Sequence, residues 1–495
     1  MNQKKETTVL LLSLFITIAA IAGGLSWLNS GKTGSSIDPK KDTVVPSSAI
    51  SGGNEALIDR NITPQKEAAV KAIATQDYSE AISLLTESLA EQRNDPEALI
   101  YLNNARIGDN KAYSIAVSLP IGTELTTSEE ILRGVAQAQT EINQQGGING
   151  IPLKVLIVDD LNDAETAKQV AQNLAKNQDV LGVVGHFSSG VTLATAPIYQ
   201  ENNLVAISPT STSVDISNQG NYIFRTVPSD RFTSNALSKY ALDTLNTDKA
   251  VVLYNSQSAY SRSLRNTFTT DMVSSGGEVV IETDLSQNNF NPAEILQQAR
   301  SLDAEVLVFL NDTQTLDKAY LMMQLNNNRL PMLAGDEFYR PQTLQIVGEN
   351  AVGLVVAAPW HILSNTNPDF SNAAERLWRG DINWRTATAY DAVKALAAGL
   401  NNDPSRQGIQ ETLSQSDFAI DGASGTVKFL ASGDRNSPMQ LVIVQPGNRS
   451  SYGYDFVPVD NRSNSKSGKL YSASSQVAQV CNASITIGKG SAKIC

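Results

Sequence analysis

The chain has 495 residues, 41% of them hydrophobic, with a formal net charge of −12. That composition belongs to a globular protein with a sizeable core and room for two or three domains. The acidic balance and the lack of a compact basic patch exclude nucleic acid as a partner. Only two cysteines and two histidines are present, Cys481, Cys495, His186 and His361, so a metal centre or a Cys/His nucleophile pair has almost no raw material.

Lys4 and Lys5 precede an apolar run from Val9 to Leu28. About 20 apolar residues suffice to cross a bilayer, and basic residues stay on the cytoplasmic side. Residues 1–28 therefore read as a membrane anchor with an extracytoplasmic chain behind it. Cleavage after Ala20-Ile21-Ala22 is the competing reading. Residues 29–62 are rich in Ser, Gly, Asp, Pro and Lys without apolar periodicity and are expected to be a flexible spacer.

Residues 63–112 carry apolar residues at helical spacing, such as Ala81, Leu84, Leu85 and Leu89. The run from Asp77 to Ile82, followed by Pro96 and a new helix, resembles a tetratricopeptide repeat. Only about one and a half units are present, fewer than stack stably alone. A helical stalk packed on the next domain is an equal reading.

From Tyr113 the pattern alternates. YSIAVSLP, PLKVLIVDD, VLGVVGHF and NLVAIS are short β-branched runs separated by helical stretches such as Glu129 to Gln145 and Ala164 to Lys176. After IFR, ending at Arg225, a second series begins with KAVVLYN, EVVIETDL, AEVLVFLN, PMLAGDEF and GLVVAAPW. Such alternation predicts βαβ units, parallel sheets and two lobes. GTVKFL and MQLVIVQP are expected to close the domain near Pro446, leaving 447–495 as a peripheral tail. In that tail Cys481 and Cys495 are either free thiols or, in an oxidising compartment, a short disulfide loop.

Open parallel sheets bind ligands beyond the carboxyl ends of their strands. One strand runs into Gly185-His186-Phe187-Ser188-Ser189-Gly190 at the start of a helix, where free N–H groups attract an anion. Its neighbour ends in Ser208-Pro209-Thr210-Ser211-Thr212. Two hydroxyl and amide clusters on adjacent strands suit one carboxylate, although either alone would read as ordinary N-capping. In the second series Asp336, Glu337, Asn311 and Asp312 follow strands, and acids facing a carboxylate site suit an ammonium. His186, a lone histidine beside a strand, reads as a packed structural residue. No GxSxG elbow, P-loop or GxGxxG stands in a suitable place, so enzymatic catalysis is not expected and no cofactor is implied.

INQQGGINGIPLKVLIVDD, GHFSSGVTLATAPIY, LVAISPTST, IFRTVPSD and TAYDAVKALAAGL, in this order and spacing, resemble the periplasmic amino-acid-binding proteins of the leucine/isoleucine/valine type. The resemblance covers Tyr113 to about Pro446. It implies a type I periplasmic binding fold, α/β with two doubly wound parallel-sheet lobes, which serves an ABC permease outside the cytoplasmic membrane. The first lobe is expected at about 113–227 and 353–430 and the second at about 228–352 and 431–446, with crossings near Val227, Val352 and Leu430. Ser189 matches the serine that holds a ligand carboxylate, helped by Ser211 and Thr212. Thr212 is also placed to meet the ammonium, with Glu337 as its acid from the second lobe. Tyr260 matches the aromatic that closes over the ligand, and Phe187 and Ser188 line the side-chain pocket. Thr127 stands where an aromatic is expected, and Asp312 where an aromatic or small residue is usual. Both departures turn the expectation away from a purely aliphatic ligand; Asp312 either makes the side-chain pocket prefer polar or cationic ligands or points out of the cleft and caps the helix starting near Thr315. The same fold also serves as an interaction scaffold in regulators of cell-wall synthases, and a ligand sensor is a third role that an anchored chain permits.

Overall fold

In the computed structural model of the chain, residues 50–364 and 366–459 are described. The anchor, most of the spacer and the cysteine-bearing end of the tail lie outside them. Three helices come first, α1 (Pro64–Ala74), α2 (Tyr78–Glu91) and α3 (Pro96–Ile107). Thr63, Asp77 and Asp95 cap them by accepting from the backbone N–H three residues on. The last helix is buried on nearly every side. It packs on α4 (Leu125–Gln144) through buried amides, with Asn103 Nδ2 2.8 Å from Thr140 Oγ1 and Gln139 Nε2 2.8 Å from Asn104 Oδ1. The helical segment is thus built onto the first lobe. Among the described residues no helix is long and apolar enough to cross a membrane.

The spacer expectation fails over its last part. Strand β1 (Ile50–Ser51) pairs antiparallel with β3 (Leu153–Asp159). Glu97 accepts the Leu57 and Ile58 N–H groups, and Asn104 donates to Gly52 O at 3.0 Å. This segment is ordered by partners about forty to a hundred residues away, which local composition does not register.

The first sheet also contains β2 (Tyr113–Leu119), β4 (Val180–Val184), β5 (Val205–Ser208) and β6 (Ile223–Arg225), in the order β1-β3-β2-β4-β5-β6. All neighbours except β1 run parallel. Helices α5 (Ala164–Lys176) and α6 (Ser189–Glu201) connect its strands. Helix α7 (Asp230–Lys239) leads into the second sheet, which comprises β7 (Lys249–Tyr254), β8 (Glu278–Asp284), β9 (Val306–Phe309), β10 (Met332–Ala334) and β11 (Val355–Ala358). Its connections are α8 (Ala259–Ser274), α9 (Pro292–Ser301), α10 (Leu316–Asn326) and α11 (Pro341–Val347). Strands β5, β9 and β11 are buried along their whole length, as expected of parallel strands covered on both faces.

The chain then returns through α12 (Pro368–Trp378), α13 (Trp384–Asn402) and α14 (Arg406–Leu413) to a small hairpin of β12 (Ile420–Gly422) and β13 (Gly425–Val427). Helix α13 crosses α4 closely at Gly134, where a Cβ would lie 2.1 Å from Thr386 O. Strands β14 (Gln440–Pro446) and β15 (Tyr454–Pro458) complete the second sheet, in the order β15-β14-β11-β10-β9-β7-β8.

Two expected boundaries are corrected. Strand β11 pairs with β10 and β14, so the return to the first lobe follows Ala358 instead of falling near Val352. GLVVAAPW is apolar throughout and carries no mark of which sheet it joins. The second lobe also continues past Pro446, because β15 pairs with β14. The polar turn between them is held by Asp455, which accepts the N–H groups of Arg449 and Ser450 at 2.9 and 2.6 Å.

Candidate functional site

The carboxyl ends of both sheets face a cavity of about 270 Å³. Asn162, Phe187, Ser188, Ser189 and Thr210 border it from the first lobe, Gln257, Tyr260, Asp312, Asp336 and Glu337 from the second, and Trp384 from α13.

On the first lobe, β4 ends at Val184 and Gly185 turns the chain at φ 145°. A Cβ there would lie 2.6 Å from Ser118 O, so only glycine fits. Ser188 then caps α6, accepting from Val191 N–H and donating to Asn162 Oδ1 at 2.6 Å. Ser189 and Gly190 open the helix at the cavity wall, so first-turn N–H groups and the positive end of the dipole are available to an anion. Ser189 Oγ accepts the Ser213 N–H at 3.2 Å, which leaves its own proton for a ligand oxygen. The neighbouring loop is fixed from behind by buried Arg225. This guanidinium donates to Ser213 O at 2.7 Å and to Asp434 Oδ1 at 2.7 Å.

The expected residues divide. Phe187, Ser188, Ser189, Tyr260, Asp312 and Glu337 border one cavity; Ser211, Thr212 and Thr127 do not. The Ser211 hydroxyl lies 2.8 Å from Thr192 Oγ1 and 3.1 Å from the carbonyls of His186 and Phe187. Thr212 is fully buried just behind, its carbonyl accepting from Asp230 N–H at 2.8 Å. Thr127 is buried within α4. His186 is packed between Asp160 Oδ2 at 2.6 Å and the Tyr199 hydroxyl at 2.9 Å.

On the second lobe, both oxygens of Glu337 are already engaged. One takes the Arg340 guanidinium and the other Arg385 Nη2 at 3.0 Å. Arg385 is fully buried, also reaches Glu130 Oε2 at 3.4 Å, and lies over the Trp384 ring. The carboxyl with spare capacity is Asp336, whose Oδ1 accepts from the Tyr260 hydroxyl at 2.8 Å. That approach needs Gly335, where a Cβ would stand 2.5 Å from the Tyr260 oxygen. Burial pushes the Asp336 carboxyl up, against the pull of Arg385 and the Tyr260 hydrogen bond.

Behind this pair sits a residue that the sequence reading passed over. Asp230, at the start of α7, is fully buried, with the Ser263 and Thr212 hydroxyls beside its carboxyl. Burial raises its pKa to about 7, although the Ser263 and Thr212 hydroxyls draw it down and the nearby Asp336 charge adds to the rise. The folded chain therefore keeps a proton that the unfolded chain releases near pH 3.8. The contribution of Asp230 to stability falls as pH rises from there to about 7. A cation placed between Asp230 and Asp336 would relieve that cost. IFRTVPSD, whose final residue is Asp230, gives no local sign that this carboxyl is buried. An anion-accepting helix start and the Asp336 carboxyl thus border one cavity, which suits the two ends of a zwitterion.

A sequence profile described as "Periplasmic binding protein" matches residues 113–449. The "Amino acid binding protein" of Pseudomonas aeruginosa is 28% identical over 189 residues, 38% of this chain and 50% of that protein. The chain spans no more than half the length of the first curated relatives that it matches. A leucine-binding protein of Thermotoga maritima superposes with a TM-score of 0.62 at 22% identity, covering 71% of this chain and 99% of its own. A branched-chain amino-acid substrate-binding protein of Streptococcus pneumoniae, solved with isoleucine, gives 0.61 at 21% identity, covering 70% and 100%. Both share the fold.

Proposed function

Because the chain belongs to the periplasmic binding protein family, we propose that it captures a free amino acid in the interlobe cavity, by closure of the lobes, and delivers it to an ABC permease outside the cytoplasmic membrane. The observation that carries this reading is the pairing of the α6 N-terminus and Ser189 on one lobe with Asp336 and Tyr260 on the other. The α-carboxylate lies against Ser189 and the first-turn N–H groups. The α-ammonium lies against Asp336, backed by Asp230, because Glu337 is held by two arginines. Closure is favoured because only the closed state lets both lobes hold one ligand. The anchored N-terminus and the Cys481–Cys495 disulfide are parts of the same proposal for an extracytoplasmic chain.

Calorimetric titration with a mixture of L-amino acids tests it. Ser189→Ala is expected to weaken binding by about 1.5–3 kcal/mol, the worth of a hydrogen bond to a charged group, with the melting temperature almost unchanged. The pH dependence has a defined sign. The ammonium needs ionised carboxyls, so affinity rises with pH up to about 7, where Asp230 loses its proton. Equal affinity in wild type and variant would remove Ser189 from the site.

A further inference from the structure

We propose that the cavity selects an amino acid with a cationic side chain and that Asp312 is the residue that selects it; this rests on the amino-acid reading above. Strands β10 and β9 are parallel neighbours, with Ala334 opposite Phe309. Asp336 and Asp312 therefore stand at adjacent strand ends on one rim of the cavity. The first is placed for the α-ammonium. The second lies one strand further along, where the side chain of a bound amino acid must go.

Asp312 is held in that direction. Its Oδ1 accepts from Asn255 Nδ2 at 2.8 Å and from the Thr315 hydroxyl at 3.3 Å, and Asn255 follows β7, the next strand over. Its side chain does not cap the 3₁₀ turn Thr313–Thr315. Both bonds fall on Oδ1, and among the described residues Oδ2 has no hydrogen-bond or ion-pair partner. Gln257, Gln314, Asn162 and Ser188 border the same cavity. No Lys, Arg or His borders the cavity among the described residues. An aliphatic side chain would strip water from this carboxylate without replacing it, and an acidic one would add repulsion. An ammonium or guanidinium supplies both the charge and the donors that Oδ2 lacks.

Competition calorimetry with L-lysine, L-arginine, L-glutamine, L-glutamate and L-leucine decides the matter, on wild type and on Asp312→Asn. Lysine or arginine is expected to bind wild type most tightly and to lose about tenfold to hundredfold in Asp312→Asn, while leucine does not weaken. Tighter binding of leucine, glutamine or glutamate by the wild type overturns the inference and leaves the amino-acid receptor standing. A cationic preference that survives Asp312→Asn unchanged overturns the role of Asp312. No binding by any amino acid overturns both readings. The wild-type ranking needs no variant, so the test holds even if Asp312→Asn folds poorly.

Discussion

Arg385→Leu is expected to cost the folded protein about 3–5 kcal/mol, the usual consequence of removing one partner from a buried ion cluster. Arg385 is fully buried and joins Glu337 of the second lobe to Glu130 of α4. Among the described residues Glu130 has no other ion pair. Leucine fills much of the volume but leaves that mostly buried carboxylate without its ion-pair partner. Glu337 keeps Arg340 and is turned loose on one side only. The Trp384 ring beneath the guanidinium borders the cavity, so ligand affinity should fall with stability. Urea denaturation monitored by tryptophan fluorescence reads the loss. A change below about 1 kcal/mol, the range of exposed pairs, would mean that the cluster is solvated.

Gly134→Ala is expected to cost about 3 kcal/mol or more, at the upper end for overpacking. The added Cβ would lie 2.1 Å from Thr386 O and 2.8 Å from Tyr390 N. Both are backbone atoms of α13, so no rotamer change relieves the clash. The helices must part, which also breaks the 2.8 Å bond from the Thr386 hydroxyl to Glu130 O. Gly380→Ala is the control, since a Cβ there meets nothing within 4 Å. The same denaturation experiment should place Gly380→Ala near wild type and Gly134→Ala far below it. Equal midpoints would show that α4 and α13 have room to spare.

Much of the architecture was legible because parallel strands covered on both faces are continuous apolar runs, as in β5 and β9, and their helices keep a 3.6 period. What escaped depends on partners distant in sequence. Ile50–Ser51 joins a strand over a hundred residues later, and Val355–Ala358 gives no sign of which lobe it joins. The site followed the same rule. Ser188 and Ser189 are set by a strand end and a helix start, both visible locally. Asp336 and Glu337 are adjacent acids in one segment, and only the position of Arg385, 48 residues after Glu337, shows which of them is already paired. Asp230 was hidden for a related reason, since nothing local shows that its carboxyl is buried.

Free amino acids are expected to draw the two lobes together. Small-angle X-ray scattering during titration with an equimolar mixture of L-amino acids tests this most directly. A saturable decrease in the radius of gyration that dialysis reverses is the expected result. Unchanged scattering at millimolar amino acid, with no shift in melting temperature, would contradict it.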